Sequence, residues 1–186
     1  GFDHENSNAR RSALQALLVT GGGGLALLVG LIMLGQASDT YLLSEIIAKG
    51  SVITEHAHYP IILTLILIGA FTKSAQFPFH FWLPNAMAAP SPVSAYLHSA
   101  TMVKAGIYLM MRLQPSLGGT EEWFYALSIA GGATAVWSSM MALRQTDMKL
   151  MLAWTTVMAL GTITLFLASD LRIAAVAAVT FLLVHA

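Results

Sequence analysis

No cysteine occurs anywhere in the 186 residues. That absence removes disulfides, thiolate nucleophiles, iron–sulfur ligands and cysteine-based zinc sites together, and says nothing about compartment. Charge is almost as scarce. Asp, Glu, Lys and Arg make up 10% of the chain, where an ordinary globular domain carries about a quarter. Nine basic residues balance nine acidic ones, a formal net charge of zero, so there is no electrostatic footprint for nucleic acid. What remains is apolar: 56% of residues are hydrophobic, which puts the chain in the membrane class.

Long apolar runs between short polar connections predict an all-α, polytopic membrane helix bundle with crossings at residues 12–35, 59–88, 91–113, 124–143, 150–168 and 171–186. The last run is too short to span, and the chain opens at Gly1 without a methionine or a signal-peptide pattern. An internal fragment of a longer subunit is therefore expected. Glycines at 21–24 would weaken a soluble helix, but in lipid small residues admit a neighbouring helix, and close packing is preferred to a hinge. In the polar connection 36–59, apolar spacing around Glu45 and Lys49 predicts a short interfacial helix stopped by Gly50, with Lys49 solvated. Glu55, His56 and His58 follow. They could converge on a metal, and a solvated turn before Pro60 explains them as well.

The stretch 69–113, GAFTKSAQFPFHFWLPNAMAAPSPVSAYLHSATMVKAGIYLMMRL, carries the chemistry. It sets Lys73, His80, His98 and Lys104 in or beside sequence long enough to cross a bilayer. A charge near the bilayer centre costs at least ~2.5–3.5 kcal/mol on insertion scales, so an intramembrane lysine points to an ion path or proton relay. Pro78, Pro84, Pro90 and Pro92 lie in the same stretch, four of the chain's six prolines, and they cannot sit in one regular helix. One discontinuous helix is expected over 59–88, with Lys73 at mid-depth before the break at Pro78. A broken helix in lipid must line protein or water. Trp82 is either an interface anchor or a cover over the break from inside the bundle. His98 shares a helical face with Thr101, while Lys104 is rotated from His98 by about 120°, so a water or another helix must connect them. The fourth and fifth crossings hold nothing ionisable, their GGA and WSS segments reading as tight packing, and the sixth brings His185 toward mid-membrane.

These residues carry a resemblance. KSAQFPFHFWLPNAMAAPSPVSAYLHSATMVKAGIYL, at 73–109, closely resembles the signature of the antiporter-like membrane subunits shared by respiratory complex I and multisubunit cation/proton antiporters. TDMKLMLAWTTVMALG, at 146–161, resembles a degenerate form of the family's next motif, and FLLVHA the start of a third. The opening GFDHENSNARRSALQALLVTGG and the lysine within ATMVKAG are similar to the A-type component of Mrp-type multisubunit Na+/H+ antiporters. The resemblance implies that Lys73 holds and passes the proton, that His98 relays it, and that Lys104 and His185 continue the path. It also implies a glutamate partner for Lys73 on the helix just before this fragment. Phe181 stands where the complex I pattern has a second histidine.

The expected function is thus a subunit of a secondary antiporter exchanging Na+, or K+, for H+ in the cell (inner) membrane, with other membrane subunits and the lipid bilayer as partners. It is expected to be no enzyme, and to need no cofactor and no metal. The rival reading is a proton-pumping subunit of an NADH:quinone oxidoreductase-type complex, with the same groups driven by electron transfer. An inert bundle would instead keep its lysines at span ends, where they snorkel.

Overall fold

The computed structural model describes residues 5–95 and 102–185. Helix α1 runs Ser7–Ser38, 32 residues, beyond the expected 12–35 at both ends. Its start is set by Asn6, whose side chain accepts from the Asn8 and Ala9 amides, and its end by Asp39 in the left-handed region at φ 53°. The connection then forms α2 (Leu43–Ala48) and α3 (Gly50–Thr54). Helix α2 stops at its cap Lys49, just before Gly50, which in turn opens α3; a Cβ at Gly50 would stand 2.9 Å from the Pro115 carbonyl oxygen. Lys49 is not simply solvated. Its Nζ donates to the Ser38 carbonyl at 2.7 Å, satisfying an orphan acceptor at the end of α1.

Helix α4 spans Tyr59–Lys73, with Pro60 in its first turn where no amide is needed. The crossing expected over 59–88 is broken, as the prolines require, but the break opens at Ser74 rather than at Pro78. Ala75 takes φ 47°, and the Gln76 amide reaches back to the Phe71 carbonyl at 2.9 Å instead of continuing the ladder. A 3-10 turn (Phe79–Phe81), helix α5 (Trp82–Asn85), a second 3-10 turn (Ala86–Ala88) and helix α6 (Ser91–Ala95) follow. Residues 102–104 form turns and α7 runs Ala105–Leu117. The described parts of 91–113 are therefore two helices, and α7 continues through Pro115, past the expected end. Helices α8 (Glu121–Leu143), α9 (Met148–Leu167) and α10 (Arg172–Val184) complete the chain. Thr120 and Asp147 cap α8 and α9 by accepting the Trp123 and Lys149 amides at 3.1 and 2.7 Å. Among the described residues, α1, α8 and α9 are long and apolar enough to cross a membrane, while α4 and α10 are shorter apolar helices.

Lipid supplies no hydrophobic force between helices, so they associate where small residues let backbones meet. Helices α1 and α4 meet at Gly23, whose missing Cβ would collide with Thr72 Oγ1, and at Gly69, which faces Leu27 and the Gly23 carbonyl. Of the glycine run, only Gly23 is needed for this approach; Gly21, Gly22 and Gly24 face open space. Helices α8 and α9 meet at Gly131 and Gly161, each within 2.8 Å of the other helix's backbone once a Cβ is imagined. At one end of the bundle Tyr59 Oη donates to the Leu117 carbonyl at 2.6 Å, Trp123 Nε1 to the Leu167 carbonyl at 2.9 Å, and Gln114 Nε2 to the Ser169 carbonyl at 3.2 Å. At the other, Asn85 Nδ2 donates to Gln15 Oε1 at 2.8 Å and Lys149 Nζ to the Ala89 carbonyl at 2.5 Å.

Candidate functional site

Lys73 is the last residue of α4 and half-buried. The chain beyond it leaves the helix, so the backbone groups there need other partners, and neighbouring elements provide them. Trp82, 1% exposed, folds back so that its Nε1 donates to the Thr72 carbonyl at 2.9 Å. This is the cover from inside the bundle. Ser74 Oγ accepts the Ile107 amide of α7 at 3.0 Å, and Thr134 Oγ1 of α8 accepts the Phe77 amide at 2.8 Å. Ser74 and Thr134 escaped the reading of the sequence. Nothing distinguishes them there from the hydroxyls that simply bond back to their own helix, as Thr156 and Thr164 do.

The break is level with the middle of the long helices. Thr72 rests on Gly23, near the centre of α1, and Phe77 bonds to Thr134, near the centre of α8. Lys104 is the residue at the start of α7, 8% exposed, and His185 is the residue at the end of α10, half-buried. Helices α4, α7 and α10 hold 15, 13 and 13 residues, and their far ends are fastened side by side through Tyr59, Leu117, Gln114 and Ser169. At about 1.5 Å per residue, each helix carries its terminal group roughly 20 Å from that fastened end. Lys73, Lys104 and His185 are thus the end groups of three separate helices of similar length. The His185 ring lies 6.1 Å from that of Phe181. His98 lies outside the described residues.

The described acidic residues sit in connections or near helix ends, at Glu5, Asp39, Glu45, Glu55, Glu121, Glu122, Asp147 and Asp170. His80 is packed on rings instead, with Phe77, Trp154 and Trp137 centroids at 5.6, 5.9 and 6.4 Å. On the α1 side of the break a cavity of about 400 Å³, lined by Leu18, Val19, Ile68, Pro78 and Phe79, is mostly hydrocarbon and offers a proton no relay. Among the described residues no three His, Asp or Glu side chains group as metal ligands; His56 and His58 form a turn in which the His58 amide donates to His56 Nδ1 at 3.2 Å.

Known proteins share both the sequence and the fold. The chain is 51% identical over 186 residues, its whole length, to a protein of Rhizobium meliloti (strain 1021) named as the probable A/B component of a K(+)/H(+) antiporter, of which it covers 19%. It is 47% identical over 163 residues, 88% of its length, to the A component of the Na(+)/H(+) antiporter of Bacillus subtilis (strain 168), of which it covers 20%. The chain thus spans about a fifth of the length of these relatives. The structure of the Mrp complex from Dietzia sp. DQ12-45-1b contains a chain that superposes with a TM-score of 0.92 at 39% identity, over 99% of this chain and 20% of that one. The model of the family described as "NADH:quinone oxidoreductase/Mrp antiporter, TM" matches residues 1–186. With its whole length matched and its broken helix ending on a half-buried lysine, the chain belongs to the NADH:quinone oxidoreductase/Mrp antiporter transmembrane family.

Proposed function

We propose that this chain is the proton-handling part of a subunit in a multisubunit secondary antiporter, exchanging Na+ or K+ for H+ across the cell (inner) membrane beside other membrane subunits. One observation carries the reading: the broken helix α4 ends on half-buried Lys73, level with the middle of α1 and α8, and Lys104 and His185 are likewise the end groups of α7 and α10. Cations in lipid are costly, and several in one bundle need a use. The antiporter names of the relatives support the same activity.

In this reading Lys73 holds a proton at its Nζ. His98 relays it, with an intrinsic pKa suited to exchange near neutrality. Lys104 and His185 continue the path, through a bridging water where they do not touch. The broken helix rearranges without disrupting a long ladder, because its ends are already bonded to side chains of other elements.

The test is Lys73→Ala in the full-length subunit within its assembled complex, with exchange followed in everted vesicles by a pH-sensitive dye. Exchange is expected to vanish while the complex still assembles; wild-type exchange would remove Lys73 from the mechanism. His98→Ala is expected to slow exchange and shift its pH dependence.

The family description favours a second reading, a proton-pumping membrane subunit of a quinone-reducing redox complex. The groups would be the same and the drive would come from electron transfer elsewhere. Vesicles acidified by NADH oxidation, and unresponsive to a Na+ or K+ gradient, would select it.

A further inference from the structure

The site described above depends on a backbone that has left its helix, so whatever fixes that backbone also fixes Lys73. On one side the break is held by residues of its own segment and of α7, through Trp82 and Ser74. On the other it is held from α8, by Thr134. That side chain is 1% exposed, and its hydroxyl is fully used: Oγ1 accepts from the Phe77 amide at 2.8 Å and donates to the Ala130 carbonyl at 2.6 Å. Its position is fixed from behind as well, since Gly161 of α9 lies so close that a Cβ there would stand 2.9 Å from Thr134 Cβ and 2.8 Å from the Ala135 amide. Phe77 is four residues beyond Lys73, inside the non-helical segment where Ala75 takes its left-handed conformation.

We propose that Thr134 is a positioning residue for Lys73: the pair α8–α9, meeting at Gly131 and Gly161, sets the geometry of the break through the Thr134–Phe77 hydrogen bond, and through it the placement of the lysine. The inference rests on the antiport reading and adds to it a route by which α9, and α10 packed on it, act on Lys73. A partly buried amide that loses its acceptor in apolar surroundings is left unsatisfied, so the segment has reason to shift when the hydroxyl is removed. Valine keeps the β-branched shape and removes the oxygen; serine keeps the oxygen.

The experiment compares wild type, Thr134→Val and Thr134→Ser as full-length subunits in the assembled complex. Three quantities are read: amount of complex on native gels, hydrogen exchange of the peptide containing Phe77, and cation-driven proton exchange per complex across pH. Thr134→Val is expected to assemble, to exchange the Phe77 amide faster, and to transport about tenfold more slowly with a displaced pH profile. Thr134→Ser is expected to match wild type in all three. Unchanged exchange of the Phe77 amide in the valine variant would overturn the hydrogen bond. Faster amide exchange with wild-type rate and pH profile would overturn the positioning role, as would a serine variant as impaired as the valine one. The failure of the antiport reading is separate: wild-type complex would then show no cation-driven proton exchange at all, while the amide measurement would still decide whether Thr134 holds the break.

Discussion

Gly23 and its neighbours differ by a single contact. A Cβ at Gly23 would collide with Thr72, whereas one at Gly24 meets nothing within 4 Å. Gly23→Ala should therefore force α1 from α4, costing about 1–3 kcal/mol as overpacking does. Gly24→Ala should be neutral or stabilising, because alanine is the better helix former. Thermal melts of the purified complex in detergent separate the two, and equal melting of both variants would refute the contact. At Lys49 the sequence suggested a solvated cation with no structural part, and the bond to the Ser38 carbonyl alters that expectation. Lys49→Ala should lower stability by about 0.5–1.5 kcal/mol while leaving exchange per complex at the wild-type level, since Lys49 is remote from the break.

At the scale of elements, the broken helix is the feature the chain announces most clearly, and also the one whose position it misreports. Four prolines mark the region, but the helix ends five residues before the first of them, at Lys73. The cause is tertiary. Trp82, Ser74 and Thr134 supply partners to the Thr72 carbonyl and to the Ile107 and Phe77 amides, and with those bonds available the chain can leave the helix early. Trp82→Phe keeps an aromatic ring and removes one of them. It should reduce exchange severalfold while the complex still assembles, and exchange equal to wild type would mean that the Thr72 carbonyl finds another donor. Tyr59 makes the complementary case at the fastened end, where its hydroxyl meets both the Leu117 carbonyl and Thr120 Oγ1, the latter at 2.7 Å. Its bonds hold the helices together far from the break.

Across the whole molecule, what matters is that three helices of similar length each end on a titratable group, Lys73, Lys104 and His185. In the proposed path Lys104 and His185 act in sequence from different helices, so their contributions should not be independent. The double variant Lys104→Ala/His185→Ala is expected to lose less activity than the two single losses combined. Additive losses in the vesicle assay would place the two groups on separate routes.

The amino-acid sequence by itself determined the membrane class, through its 56% hydrophobic content. It also determined the all-helical chain, through apolar runs between polar connections, and the need for a break, through prolines that no continuous helix accepts. Lys73 and Lys104 were visible as costly cations for the same reason: hydropathy and charge are local properties, readable residue by residue. Only the tertiary structure decided where the break opens, which hydroxyls satisfy it, and which single glycine of four lets α1 meet α4. Those depend on what another helix places opposite each group. Thr134 is an ordinary residue of an apolar helix until Phe77 arrives beside it with an amide that has no other partner.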